Sequence, residues 1–227
     1  MKKRFTYKDL ADSRTYYYPI FEAIFYANWK FYKGNDFASG KLVVDENSNT
    51  YRILKTLSLG LDDLGNICDT LIIYNRCFID LLGKAEALVA LPLIRLQLEN
   101  LTAIYAETLH PFQILHKLYD GGKNLGKVKV NGNYIVPSNL REEMDSRYGT
   151  TIGELYKKYS GFIHPSKSQK EVNMSSYYNY KDNMYVASKK DVRMYAKDMV
   201  YVNQIIGNVL LEHLEDIKAK CSINNIN

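Results

Sequence analysis

Cysteine is scarce in this chain of 227 residues: three, Cys68, Cys77 and Cys221, with no C-x-x-C pair among them. So sparse and odd a set excludes a disulfide framework and fits a reducing interior, the cytoplasm. Histidine is nearly as thin, with four copies. His110, His116 and His213 show no spacing that would hold a metal, so neither a metal nor another cofactor is expected. Long apolar runs are missing too. The longest, Ala85 to Leu98, is too short to span a bilayer and contains Glu86 and Arg95, so no membrane partner is expected. After Met1-Lys2-Lys3-Arg4 the chain turns polar, which is not the apolar core of a secretory leader. No serine or cysteine stands in a nucleophile elbow.

What is present is ordinary in bulk. A hydrophobic fraction of 46% and a charged fraction of 24% describe a globular chain long enough for one sizeable core. The formal charge of +5 permits a polyanionic partner without demanding one. Tyrosine is the outlier at 20 copies. Its abundance beside Lys, Asn and Ile is what AT-rich codon usage produces; the other reading is an aromatic surface for partners or bases.

The apolar pattern is mostly helical. Ile20, Ile24, Ala27 and Phe31 place a helix over about Ser13 to Tyr32, with Gly34 as its stop. A loop follows over Phe37 to Asn49. Leu54, Leu57, Leu61, Leu64, Cys68 and Leu71 repeat at three and four, a packing seam on a long helix from about Thr50 to Leu82. The next helix, about Lys84 to Leu109, is apolar on nearly every face, with Pro92 expected to kink it or delay its start. A short helix over Pro111 to Tyr119 ends at Gly121-Gly122. The period then changes: Lys127 to Val130 and Asn133 to Val136 flank Asn131-Gly132, the pair that accepts a type I′ hairpin turn. Asn139 with Glu142, and Thr151 with Glu154, have capping-box spacing, the second opening a helix that ends near His164. Tyr177 to Tyr180 and Met184 to Ala187 read as a second hairpin, and Ser188 with Asp191 opens a last helix to about Lys218. The expected architecture is mainly all-α. It is a single helical domain over 1–227, with its core at about 50–214, an N-terminal helix and loop over 1–49, a hairpin insertion at 127–136 and a frayed tail at 221–227.

Two features carry chemistry. Arg95 and Glu99 are four apart on the most apolar helix, so they share a face whose neighbours, Leu88, Thr102 and Ala106, belong to a core. Burying either charge alone is costly. They form either an ion pair that fixes helix register or the wall of a polar pocket that holds an anion. If the pair is buried, Glu99→Ala is expected to cost about 3–5 kcal/mol. The second feature is His164, followed by Pro165. A histidine at a helix end caps carbonyls, or it serves as a general acid/base. Gly121 to Lys127 matches the G-x-x-x-x-G-K of a phosphate-binding loop, but Val128 replaces the hydroxyl residue, and the loop follows a helix and precedes a strand, the reverse of what that chemistry needs.

Arg95-Leu96-Gln97-Leu98-Glu99 and Tyr159-Ser160-Gly161-Phe162-Ile163-His164-Pro165 together resemble the HEPN superfamily, in particular bacterial HEPN-like proteins of unknown function near mobile and defence loci. These share R-x-x-x-E on one helix and S-x-x-x-H ending a later one, and the resemblance covers roughly Thr50 to Leu214. It implies a helical bundle, frequently a homodimer, with RNA or a nucleotide as partner. For many members it implies metal-independent RNA cleavage through R-x4–6-H. This chain departs from that pattern. The positions four to seven before His164 are Ser160, Tyr159, Lys158 and Lys157, and Lys158 is the close substitute, lacking the bidentate fork of arginine. The reading favoured is a HEPN-like binding or regulatory module of phage-defence or toxin–antitoxin type, with Arg95, Glu99 and His164 as a polar cluster. The alternative is a ribonuclease using His164 as acid/base and Arg95 or Lys158 on the phosphate.

Overall fold

A computed structural model describes residues 4–36, 49–84, 86–111, 113–119, 121–162, 177–179 and 184–223; over 29–60, 177–186 and 220–223 only the backbone enters the description. The protein is predominantly helical. In chain order the elements are α1 (Tyr7–Ala11), α2 (Ser13–Asp36), α3 (Asn49–Gly83), α4 (Ala87–Leu109), α5 (Leu115–Tyr119), a 3-10 turn (Leu125–Lys127), β1 (Lys129–Val130), β2 (Asn133–Tyr134), α6 (Pro137–Tyr148), α7 (Ile152–Ser160), β3 (Tyr177–Asn179), β4 (Met184–Val186) and α8 (Lys189–Ile223). The strands form two antiparallel hairpins, β1–β2 and β3–β4.

Four long helices close a ring: α2 packs on α3 and α8, and α4 packs on α3 and α8. Each brings an apolar stripe to the centre, Ile20 and Ile24 from α2, Leu64 and Leu71 from α3, Ile94 and Leu98 from α4, Val202 and Ile206 from α8. Helix α4 has core on nearly every side because α6 and α7 cover its remaining face. It is the one described helix long and apolar enough to cross a membrane, and most of it is buried inside the bundle. The helix runs through Pro92. Gly207 brings α8 against α2: a Cβ there would overlap the Tyr16 hydroxyl.

The apolar ring is cross-tied by a polar cluster at its middle. Asn75 of α3 and Asn203 of α8 exchange amide hydrogen bonds of 2.7 and 2.9 Å. Tyr17 of α2 donates to Asn203 Oδ1 (2.6 Å), Asn75 donates to Ser13 (3.1 Å), and Gln97 of α4 donates to Asn75 Oδ1 (3.0 Å) and to the Leu71 carbonyl (3.0 Å). One network therefore touches all four helices, and Asn75, Gln97 and Asn203 are wholly buried.

Several boundaries differ from the sequence reading. The chain forms an extra helix, α1, through a capping box in which the Thr6 backbone and hydroxyl both donate to Asp9 (2.7 and 2.6 Å). With Phe5 and Leu10 it belongs to the same core as α2, so the core reaches past the expected 50–214 segment. Helix α2 runs through Gly34 to Asp36, and α8 runs past Lys218 to Ile223. Asn139 lies inside α6, which starts at Pro137, because proline fits the first helical position. Thr151 sits at the start of α7 without capping it; Asp145 does so from α6, accepting from the Ile152 and Gly153 amides at 2.6 and 2.9 Å. Ser188 does cap α8, accepting from the Asp191 amide at 3.1 Å. Asn131 (φ 50°) and Gly132 (φ 84°) make the hairpin turn that Asn-Gly specifies.

Replacing Asn203 with alanine strips partners from Asn75 and Tyr17 in a site closed to water. The expected loss is about 2–4 kcal/mol, read from the denaturant midpoint. A midpoint within experimental error of wild type would show that the cluster does not tie the helices.

Candidate functional site

Helix α7 presents opposite faces to two different helices. Tyr156 and Ser160, four apart, turn toward α4; Lys158 and Tyr159 turn toward α8. On the α4 side, Arg95 Nε donates to Ser160 Oγ at 3.0 Å, and Nη2 donates to the Tyr156 hydroxyl. Ser160 in turn donates to the Tyr156 carbonyl at 2.6 Å. Arg95 Nη1 lies 2.6 Å from Glu99 Oε1, off the N–H axis, so this is a charge contact rather than a directed hydrogen bond. The arginine is 8% exposed, whereas the Glu99 side chain is 51% exposed. The pair is thus buried at one end and wet at the other.

The Arg95 guanidinium carbon also lies 3.4 Å from the centre of the Tyr156 ring, and that of Arg141 lies 3.6 Å from the same centre. A single aromatic ring carries two cations. This is favourable to each cation by its attraction to the ring quadrupole, and it brings two like charges near each other. Arg141 comes from α6, which is held by Tyr105 donating to Glu143 (2.7 Å) from α4 and by Tyr148 donating to Glu212 of α8 (2.6 Å). Burial lowers the Arg141 pKa and Arg95 adds to that, while Tyr156 and Glu99 oppose it. Arginine stays protonated under such shifts. No hydrogen bond joins the Arg141 guanidinium to another described residue, and Asp145, like Glu99, is a carboxylate whose charge favours its protonated form.

Tyr156, Glu99 and Arg141 form one wall of a cleft of about 530 Å³. Lys123 and Asn124 of the glycine-rich loop also line it, and Ile67, Leu115 and Leu118 supply its apolar part. Glu107 steadies that side, its buried carboxylate accepting from the Ile114 and Leu115 amides at 2.9 Å each. The loop follows α5 and precedes β1, so it offers a lysine and an asparagine side chain rather than a phosphate-cradling backbone at a helix start.

The residues expected at a site are thus divided. Arg95 and Glu99 meet each other and the α7 motif through Ser160 and Tyr156. Lys158 is not brought to them: its ammonium is 2.6 Å from Asp198 of α8, which also accepts from the Tyr159 hydroxyl at 2.6 Å. Burial, then the Asp198 hydrogen bond, pushes the Tyr159 phenol up. His164 lies outside the described residues; α7 itself ends at Ser160, short of the expected end near that histidine. Arg141, Tyr156 and Lys123 are site residues that sequence reasoning misses. Tyr156 has a signal, its four-residue spacing from Ser160; Arg141 has none, because α6 reads as a polar surface helix. No group of three His, Cys, Asp or Glu suited to a metal occurs among the described residues.

Fold and site together define a helical-bundle protein with a cleft between helices, largely apolar and with Lys123, Arg141 and Glu99 as its charged lining. No protein-family model, curated protein or solved structure matches the chain.

The wet end of the ion pair revises the expected cost of losing Glu99. Arg95 keeps Ser160 and Tyr156 when the carboxylate goes, so Glu99→Ala should cost about 1 kcal/mol or less. Arg95→Ala removes a buried stem together with its links to Ser160, Tyr156 and Glu99, and should cost about 3 kcal/mol. Equal losses in denaturant unfolding would show that Arg95 depends on Glu99 alone.

Proposed function

We propose that this chain is a HEPN-like binding or regulatory module of the cytoplasm whose interhelical cleft takes a phosphate-bearing ligand, a nucleotide or RNA. The observation that carries this reading is Arg141: a guanidinium placed over Tyr156, lining the cleft, with its donors unspent. A planar fork of that kind matches a phosphate, and the cleft lysine, Lys123, adds a second positive charge. The hydrogen bond from Arg95 to Ser160 supports the family reading, since it joins the R-x-x-x-E segment to the S-x-x-x-H segment. A place in a phage-defence or toxin–antitoxin system, and a homodimer, come with that resemblance.

The same geometry favours binding over ribonuclease chemistry. Arg95 is engaged by Ser160, Tyr156 and Glu99, and Lys158 by Asp198, so neither is open to a scissile phosphate. Arg95 acts here as a positioning residue that sets the Tyr156 ring on which Arg141 rests.

Titration of uridine monophosphate and a fluorescein-labelled oligouridylate at low salt tests this. Arg141→Ala should weaken both by about tenfold or more, the worth of a charged hydrogen bond, with the melting temperature unchanged. Absence of binding by the wild type, or equal binding by the variant, overturns the reading. Cleavage of the oligonucleotide by the wild type, lost in His164→Ala with the fold intact, would assign the ribonuclease instead.

A further inference from the structure

Beyond the glycine-rich loop lies a second hollow, of about 690 Å³, lined by Lys117, Lys123, Gly126, Lys127, Lys129 and Tyr134. Four of its six residues are lysines and none is acidic. It shares Lys123 and Gly126 with the cleft, so the two adjoin along the loop. From Gly121 to Arg141 the sequence holds Lys123, Lys127, Lys129 and Arg141 and no carboxylate. The backbone explains the arrangement: the 3-10 turn ends at Lys127, and extended backbone at Val128 leads into β1. Val128 and Val130 turn inward onto Ala106 and Ile114 in a small core of their own, which leaves Lys127 and Lys129 outward. Lys117 donates to the Lys129 carbonyl at 2.9 Å, fastening α5 to the hairpin. Tyr134 is 59% exposed, and the Lys129 ammonium lies 4.5 Å from its ring centre.

We infer that this hairpin surface and the cleft form one continuous track for a single-stranded polynucleotide, with a base stacked on Tyr134, phosphates along the lysines and one phosphate at Arg141. The inference rests on the cleft reading above and extends it from a single phosphate to a strand. An exposed aromatic ring beside a row of cations is what unpaired bases and a phosphate backbone use, since stacking is sequence-tolerant and the lysines follow the chain of charges. A duplex keeps its bases stacked on one another and presents none to Tyr134. An acidic peptide would use the lysines and leave the ring idle.

The test compares twelve-nucleotide oligouridylate, oligothymidylate, a duplex of equal length and oligoglutamate, with uridine monophosphate as the cleft probe, on the full chain. Lys127→Ala/Lys129→Ala should lower the slope of log K against log salt by about 1.4 for the oligonucleotides, roughly 0.7 for each lysine taken off a phosphate. Tyr134→Ala should weaken them by about tenfold by removing the stacking ring. Neither variant should alter uridine monophosphate binding or the melting temperature. The two oligonucleotides together decide whether the sugar matters, tighter oligouridylate assigning RNA and equal binding assigning either strand. If the wild type binds uridine monophosphate and the hairpin variants bind the strand as tightly as it does, the track is refuted and the cleft stands. If the wild type binds neither probe, both fall. Preference for the duplex, or oligoglutamate binding that matches the oligonucleotides and is untouched by Tyr134→Ala, also overturns the track.

Discussion

The reciprocal amide pair between Asn75 and Asn203 is the constraint on which the arrangement of helices turns. Apolar stripes attract one another without direction, so four of them can slide and rotate with little penalty. A buried amide has no such freedom, since every donor and acceptor moved off its partner loses a hydrogen bond in a place water cannot reach. Ser13, Tyr17, Asn75, Gln97 and Asn203 join the four long helices at one level of the bundle. That level sets the register of α4 relative to α3 and α8. It thereby sets where Arg95 and Glu99, within a turn of Gln97, emerge toward α7.

From that register the site follows by contact. Arg95, held in place by the α4 core, is bound by Ser160 and Tyr156, which orients α7; Asp145 caps the same helix from α6. The Tyr156 ring becomes a shared platform, with Arg95 on the protein side of the wall and Arg141 able to face the cleft. Two guanidiniums over one ring repel each other, and the half-exposed Glu99 carboxylate offsets part of that charge.

Much of the fold was legible along the chain. The seam from Leu54 to Leu71 marked α3, the all-round apolar run marked α4, and Asn131-Gly132 marked the first hairpin, because helical and strand periods and positive-φ turns are local properties. The cap at Ser188 and Asp191 was legible because both residues lie in one turn, whereas the cap that Asp145 supplies from another helix was not; the Thr6–Asp9 box, though local, opens a helix of five residues, too short to show an apolar period. The Arg95–Glu99 pair could be read from i,i+4 spacing, but its wet end could not, because exposure depends on what α6 and α7 leave uncovered. Asn75 occupies a seam position between Leu71 and Phe78, where a polar residue signals a buried partner without saying which.

The sequence by itself determined the helical class, most element bounds, the meeting of Arg95 with Glu99 and the alternation that turns Lys127 and Lys129 away from Val128 and Val130. These depend on neighbours within four residues, whose geometry the backbone dictates. Only the tertiary structure decided that Arg95 would be consumed by Ser160 and Tyr156, that Lys158 would turn to Asp198, and that Arg141 would line the cleft against the Tyr156 ring. Those outcomes join residues far apart along the chain. Which of several cations reaches an anion or a ring is settled by the packing of whole helices, not by spacing along one of them.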